Sequence, residues 1–388
     1  MFLFGKKEKE VLIIDISSSS VGVAQVTCAT EGTDVHFATR EEIKFQEDLN
    51  YQKFISDTIK VLKSTIHLAQ KSGKLRPTET HCILASPWFV TESRRIFYSD
   101  HKPFRVTKEL VNRLIKSEIE RFKKEEIERN GGKLGRDTVL IESKITNIQL
   151  NGYETASPVG KMAENISASL FVSISSREVK EKFTQAIIGE LHHDNIHFHT
   201  LPAVAIGTLI DIPDTPERFV FVSISGEITD VIIIKEKAIS EILSFPLGAN
   251  FILRWLGKRL SVTSENVPPV LELYFAKKLE TWEASVVLKT IDYLRPEWLR
   301  GFTGTLEQSP FEYLMPRDVF LLADINMGQL FADLISSKDL SRFIQSNQPF
   351  KVKILNQNVF GGLKQMTYTH LDTFLILETL FIRKLLGV

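Results

Sequence analysis

The chain carries the same hydrophobic pattern twice, about 200 residues apart. Residues 11–28, VLIIDISSSSVGVAQVTC, hold two apolar, β-rich runs on either side of a short polar turn, which predicts a hairpin. Residues 219–234, FVFVSISGEITDVIII, repeat that order with the same spacing. Because such self-similarity indicates an internal repeat, we expect a duplicated α/β domain.

The first 86 residues make up one such unit. Apolar residues at helical spacing predict a helix over residues 50–70, and residues 81–85 predict the next strand. Strands followed by a helix and a further strand are typical of an α/β domain. We therefore assign residues 1–86 to the first subdomain.

Residues 87–200 have a different pattern. An amphipathic helix is predicted over 107–127, strands over 138–149 and 166–174, and a second helix over 176–190. We interpret this block as a small α+β module inserted in the larger domain.

Residues 201–388 contain the second hairpin and a further series of elements. The predicted helices cover 249–260, 269–290, 327–335 and 370–386, and the predicted strands cover 319–323 and 351–355. We assign this part to the second domain, including a return of the chain to the first.

Composition narrows the class of protein. The 48 basic and 48 acidic residues give no net charge, which argues against a surface built to bind nucleic acid. Two cysteines exclude a disulfide scaffold and fit a reducing compartment. No apolar run reaches the roughly 18 residues that cross a bilayer. We expect a cytosolic protein that associates with a partner.

The two polar turns suggest phosphate chemistry, because backbone N–H groups of a tight turn can surround an anion and two facing turns can clamp a nucleotide. With these turns, the chain resembles the actin-like ATPase superfamily, in the branch of the bacterial division protein FtsA and the type IV pilus assembly protein PilM. The resemblance includes the opening through residue 26, residues 150–175 (LNGYETASPVGKMAENISASLFVSIS) and SFPLGANFI at 244–252. It implies an α/β fold of duplicated actin-like (ribonuclease H-like) domains with an inserted α+β module of the FtsA type.

The resemblance also implies the positions of two phosphate loops and their neighbours. The corresponding residues are Asp15, Ser17, Ser18, Ser19, Ser223, Ser225, Gly226, Thr229, Asp230 and Gly248. The turn on the adenosine side of such a site aligns with residues 323–327.

These loops depart from the family pattern. Ser17 stands where the family has a glycine, and Ser223 stands where it has an acid that supplies an oxygen ligand to magnesium. Ser225 and Glu227 replace two glycines. A carboxylate at Glu227 would lie where phosphate oxygens bind. At an effective dielectric constant near 20, the repulsion energy of two unit charges ~4 Å apart is about 4 kcal/mol. We therefore predict weak or lost binding of ATP and magnesium, no catalytic residue and no metal ligand set.

The implied function is that of a scaffold or adaptor in the cytoplasm, peripheral to the inner face of the cell membrane. It would recruit cytoplasmic tails of membrane proteins in type IV pilus assembly, or bind the tubulin-like protein of cell division, and it could self-associate through the inserted module. Membrane contact would be indirect, and no nucleic acid is expected. The alternative is a working ATPase of the same fold that polymerises with nucleotide, in which Asp15 and Asp230 handle magnesium.

Residues 192–199, HHDNIHFH, hold four of the nine histidines. In a strand, His197 and His199 would share a face, which is one way to hold zinc. Histidines of a polar surface or of a core are the alternative, and the sequence leaves the role of this cluster open.

Overall fold

The structure is a computed structural model of the 388-residue chain. It describes residues 8–72, 75–129, 137–263, 266–310, 314–323, 327–360 and 371–388.

The first domain is built on a five-stranded sheet with the order β3-β2-β1-β4-β9. Its strands are β1 (Lys9–Ile16), β2 (Ser20–Ala29), β3 (Gly32–Glu42), β4 (Thr80–Leu84) and β9 (Ile196–Thr200). The first three strands pair antiparallel, whereas β1, β4 and β9 run parallel. Helix α1 (Tyr51–Ser72) covers one face with its buried apolar residues, as its spacing predicts.

The second domain repeats this arrangement with the order β12-β11-β10-β13-β14. Its strands are β10 (Phe219–Ile224), β11 (Thr229–Lys235), β12 (Ala238–Phe245), β13 (Asp318–Leu322) and β14 (Lys351–Ile354). Its helices are α5 (Ala249–Leu260), α6 (Val267–Phe275), α7 (Thr281–Glu307) and α8 (Gly328–Ile335). Three antiparallel strands are again followed by two parallel ones, so the duplication inferred from the two hairpins is present in the strand order.

The inserted module is a four-stranded antiparallel sheet with the order β5-β8-β6-β7. Its strands are β5 (Val90–Arg105), β6 (Thr138–Leu150), β7 (Tyr153–Glu154) and β8 (Met162–Ser176). Helix α2 (Lys108–Arg129) packs on one face through Ile119 and Phe122, which share a core with Leu170 and Val172 of β8.

The chain returns to the first domain earlier than residue 200, the limit that the sequence suggested. Helix α3 (Arg177–Leu191) packs on α1, and Phe183 of α3 lies in the same core as Trp88. Strand β9 pairs with β4. The sequence pattern of α3 and β9 does not reveal which sheet they join, because periodicity reports the buried face and not the neighbour.

Two apolar helices lie between the two large sheets. They are α4 (Leu201–Leu209) and α9 (Thr373–Leu386), and they share one core with residues of both sheets. Ile13 of β1 and Phe221 of β10 belong to this common core. The two domains are therefore joined by continuous apolar packing.

Several elements were not predicted. Strand β5 is rich in charged residues, β12 is half-buried, and the apolar residues of α4 show little helical periodicity. The single predicted helix over 269–290 is two helices, α6 and α7, separated by the short segment 276–280. Among the residues that the structure describes, no helix is both long enough and apolar enough to cross a membrane.

Candidate functional site

The two hairpin turns have the same internal hydrogen bonds. In the turn between β1 and β2, the Ser17 N–H donates to the carbonyl of Ser20 at 3.0 Å, and the Ser20 N–H donates to Ser17 Oγ at 3.0 Å. In the turn between β10 and β11, the Ser225 N–H donates to the carbonyl of Ile228 at 3.0 Å, and the Ile228 N–H donates to Ser225 Oγ at 3.3 Å. Ser17 and Ser225 thus occupy equivalent positions and close their own turns, as serines commonly do.

The two turns contact each other directly. Ser18 Oγ donates to Ser225 Oγ at 3.0 Å, and the backbone N–H of Glu227 donates to Ser18 Oγ at 3.0 Å. A Cβ atom at Gly226 would lie 3.0 Å from the Cβ of Ser19, so only glycine allows this approach. The N–H group of Glu227, which could have bound a phosphate, is already used by Ser18. The two turns are therefore held together by hydrogen bonds of Ser18.

The carboxylate of Glu227 is bound by two side chains of α5. It accepts hydrogen bonds from Arg254 at 2.7 and 3.0 Å and from Asn250 at 2.7 Å. Arg254 also donates to the carbonyl of Gln46, which belongs to the first domain, at 3.1 and 3.2 Å. Arg254 therefore offsets the negative charge of Glu227, which the sequence reasoning had treated as unpaired.

The N-terminus of α5 is also occupied by the second turn. The N–H groups of Ala249 and Asn250 donate to the carbonyls of Ser225 at 2.9 Å and Gly226 at 2.8 Å. A Cβ at Gly248 would lie 2.3 Å from the Ser225 carbonyl oxygen. The N-terminus of a helix usually has unpaired N–H groups that can bind an anion. Here two of these N–H groups donate to backbone carbonyls instead. Gly248 holds the turn against the helix.

Thr229 supports the same turn from the other side. Its Oγ1 donates to the carbonyl of Leu247 at 2.7 Å. Together with the contacts of α5, this bond fixes the second turn within its own domain.

Asp15 lies at the end of β1 and forms an ion pair with Arg40. In the sheet register, Asp15 is opposite Gly22 and Gly22 is opposite Arg40. The Arg40 side chain crosses over Gly22, where a Cβ would lie 2.6 Å from Nη2, and its Nη2 reaches Asp15 Oδ2 at 2.7 Å. The Arg40 guanidinium thus places a positive charge next to Asp15. The resemblance implies that Asp15 is the acid that would order magnesium.

Two acids of α9 complete this cluster. Arg40 Nε donates to Asp372 at 2.8 Å, and the fully buried Glu378 lies against Asp15. Burial raises the pKa of Asp15 more than Arg40 lowers it, and the charge of Asp372 raises it further. Burial also raises the pKa of Glu378, and the negative charge of Asp15 raises it further. Burial also tends to raise the pKa of Asp372, but Arg40 outweighs it and holds that pKa below its ordinary value. Three acids face one guanidinium, so we expect the Asp15–Glu378 pair to retain a proton at neutral pH.

The second domain places its acid on the other strand of the hairpin. Ser223 of β10 is opposite Asp230 of β11, so Ser223 corresponds to Asp15 and Asp230 to Gly22. Asp230 is buried and accepts a hydrogen bond from Ser86 Oγ at 2.9 Å. Burial raises the pKa of Asp230 to about 7.

The donor set does not fit magnesium as the alternative ATPase hypothesis requires. Asp15 is paired with Arg40, and Asp230 is bonded to Ser86. Across the described ranges, no group of three or more histidine, cysteine or acidic side chains is arranged to hold a metal ion. Of the turn expected on the adenosine side, residues 324–326 lie outside the described residues.

The histidine segment forms a column of rings. His81 of β4 stacks on His197 and His199 of β9 at centroid distances of 5.1 and 5.3 Å, and His199 contacts Phe381 of α9. His81 Nδ1 lies 3.0 Å from His199 Nε2. Burial lowers the pKa of His81 to about 4 and that of His199 to about 3. Both side chains are therefore neutral at pH 7, with His81 buried and His199 partly buried.

Sequence reasoning missed the cations of this site. Arg40 and Arg254 lie in segments with no motif, and their partners are distant in sequence. Gly22 was the available signal, since a glycine in the middle of a strand often marks a close approach.

Comparison with solved structures shows the fold. No protein-family model matches the chain, and no curated protein matches it. A structure described as the PilM-PilN type IV pilus biogenesis complex contains a chain that is 11% identical, with a TM-score of 0.62, and the match covers 97% of this chain and 98% of that one. The predicted fold, an α/β architecture of duplicated actin-like domains with an inserted module, is thereby confirmed.

Two further structures are less similar. The ethanolamine utilization protein EutJ from Carboxydothermus hydrogenoformans is 9% identical with a TM-score of 0.44, and 99% of this chain and 91% of that chain are covered. A Bacteroides thetaiotaomicron protein with an actin-like ATPase fold is 13% identical with a TM-score of 0.39, and 94% and 99% are covered.

Proposed function

We propose that this chain is an actin-fold scaffold that receives the cytoplasmic tail of a membrane protein in type IV pilus assembly and does not use nucleotide hydrolysis. One observation carries the second half of this proposal, namely the direct contact between the two hairpin turns through Ser18, Ser225 and the backbone of Glu227. The fold shared with a chain of the PilM-PilN complex supports the first half.

Binding a triphosphate would require this contact to open. The two hydrogen bonds of Ser18 would be lost, and the link from Arg254 to Gln46 would be strained or broken. Each such bond contributes about 0.5–1.5 kcal/mol, and more where a charged group is involved. Phosphate would regain part of this energy only if free N–H groups remained. The α5 N-terminus and Glu227 have already used theirs.

The site is therefore better suited to rigidity than to a nucleotide cycle. Contacts between the domains run through the turns, through Arg254 and through the common core around α4 and α9. A rigid pair of domains presents a constant surface, which lowers the cost of binding a flexible tail. The chain would then lie at the inner face of the membrane because its partner is there, and self-association through the inserted module remains part of the proposal.

The nucleotide half is tested by thermal unfolding of the full chain with MgATP. A ligand at 100 times its Kd stabilises a protein by about 2.7 kcal/mol, which shifts the melting temperature measurably. We expect no shift at millimolar MgATP and no phosphate release. A shift that disappears in the Gly226→Val variant, which fills the space between the turns, would show that nucleotide binds there. The Gly189→Ala variant is the control, because a Cβ at Gly189 meets no atom within 4 Å.

The partner half is tested with tail peptides. A labelled peptide from the cytoplasmic tail of a PilN protein should bind the full chain, and the C-terminal tail of a tubulin-like division protein should not. The reverse result would move the chain to a division role, and binding of neither peptide would overturn the partner assignment.

A further inference from the structure

A groove of about 850 Å³ separates the inserted module from the second domain. One wall is residues 145–148 of β6, and the opposite wall is the turn Glu236–Lys237 between β11 and β12. Thr155 and Pro158 form the end near the tip of the module, and Val111 of α2 also lines the groove.

The wall formed by β6 is a strand edge. β6 pairs with β8 along its length. On its other side, Gln149 and Leu150 pair with β7, and the carbonyl of Ile148 accepts a hydrogen bond from the N–H of Thr155 at 3.0 Å, so the unpaired part of this edge ends at Asn147. Four consecutive residues, 145–148, line the groove. Because successive side chains of a strand point to opposite faces, a run of four neighbours means that the groove follows the edge of the strand. Backbone hydrogen-bonding groups of an edge strand are a template for another strand.

The rim of the groove is acidic. Glu154, Glu217, Glu236 and Lys237 line the groove, and all four side chains are exposed. Lys161 adds a second cation at the end of the groove, where its Nζ donates to Thr155 Oγ1 at 2.6 Å, so three acids stand against two cations. Glu236 and Lys237 both have positive φ, at 53° and 58°, as in the tight turns that join two strands. This geometry keeps the turn, and the charge of Glu236, opposite the strand edge.

We propose that an extended, basic peptide segment binds in this groove by adding a strand to the edge of β6. The inference rests on the proposed function, and it identifies the segment as a cytoplasmic tail of the membrane partner. Segments next to a membrane span on the cytoplasmic side carry an excess of lysine and arginine, which complements the acidic rim. Backbone pairing supplies affinity without a fixed sequence, and the charges supply selectivity.

The structure also limits how much can bind. The turn Glu236–Lys237 stands opposite the edge, so the groove admits one strand and not a growing sheet. The register of β6 against β8 shifts between Ile145 and Asn147, and the extra residue Thr146 donates its hydroxyl to the carbonyl of Ser169. A bulge of this kind increases the local twist. The paired length is therefore short, roughly 10 Å for three residues at 3.3 Å each.

The test uses the full chain and three labelled peptides of equal length, measured by fluorescence anisotropy. The first alternates lysine and valine, the second alternates glutamate and valine, and the third is the lysine peptide with prolines replacing the valines. We expect the first peptide to bind at least tenfold more tightly than either of the others. Hydrogen exchange should show new protection at residues 145–147 only with the first peptide.

The groove is identified by charge reversal at its rim. The double variant E217K/E236K should bind the lysine peptide at least tenfold more weakly, and the matched variant E272K/E297K, on exposed positions of α6 and α7, should bind it normally. Equal binding of the lysine and proline peptides would overturn the strand addition. Full binding by E217K/E236K, or none by the wild-type chain, would overturn the groove as the site.

Two outcomes separate this inference from the proposed function. A PilN tail that binds equally well to E217K/E236K would remove the groove and leave the scaffold function intact. If the wild-type chain forms dimers at high concentration and E217K/E236K does not, then the groove is occupied by a second copy of this chain. That result would contradict the proposal.

Discussion

Asp230 offers the most direct test of the buried-acid interpretation. Its carboxyl is buried, its hydrogen bond comes from Ser86, and burial raises its pKa from 3.8 to about 7. The substitution Asp230→Asn keeps the shape and the acceptor oxygen but removes the charge. Its new amide N–H group can donate to the hydroxyl of Ser223, the residue opposite on β10.

The magnitude follows from the pKa difference. A shift of one pKa unit corresponds to 1.36 kcal/mol, so a shift of roughly three units corresponds to about 4 kcal/mol. Because the folded pKa of Asp230 is raised, its contribution to stability is fully present below the ordinary pKa of 3.8 and is lost as the pH rises through about 7. An asparagine does not suffer this loss. We expect Asp230→Asn to raise the free energy of unfolding by about 2–4 kcal/mol at pH 8 and to leave it nearly unchanged at pH 4.

The assay is urea unfolding of both proteins between pH 4 and pH 8.5. Asp292→Asn, on an exposed position of α7, is the control and should give a flat difference. A gain that does not depend on pH, or no gain at pH 8, would refute the reasoning. If magnesium stabilises the wild type but not Asp230→Asn, then Asp230 is a metal ligand, as the ATPase hypothesis requires.

Three further predictions concern other parts of the molecule. Arg40→Ala leaves its acidic neighbours without a cation and should lower the free energy of unfolding by about 3–5 kcal/mol. A loss below about 1 kcal/mol in urea unfolding would show that the ion pairs of Arg40 do not stabilise the fold. Gly248→Ala places a Cβ against a backbone carbonyl and should destabilise the protein by about 1–3 kcal/mol. Gly304→Ala lies in a helix with open space around it and should stabilise the protein by about 0.5–1 kcal/mol. Equal melting temperatures of the two variants would refute the steric argument. The pKa of His199 is lowered to about 3, so its neutral form stabilises the fold above pH 6.5. As the pH falls to 4, the free energy of unfolding should decrease by about 3 kcal/mol because of this residue. The melting temperature of His199→Gln should fall less steeply with acid, and an unchanged slope would show that His199 does not contribute.

Local pattern was sufficient for most of the fold. The two hairpins, helix α1 and the module helix α2 lie within a few residues of their predicted limits, because each has a period of buried positions and a polar turn or break at its ends. Strand β5 escaped prediction because its exposed face is highly charged.

For the candidate site, the sequence located the turns but not their chemistry. Ser17, Ser225 and Gly226 do lie in the turns that the pattern indicated, since a serine or glycine between two apolar runs is a local signal. The ion pair of Glu227 could not be foreseen, because its partner Arg254 lies on a helix that the sequence does not connect with the turn.

Tertiary structure alone decided which groups meet. Ser18 and Ser225 are 207 positions apart, and Arg40 and Asp372 are 332 positions apart. A sequence records which residues prefer to be buried and which bend the chain, because these are properties of a residue and its near neighbours. Whether two turns touch, and whether a guanidinium lies beside a buried acid, depends on how complete sheets pack around α4 and α9, and no local pattern carries that information.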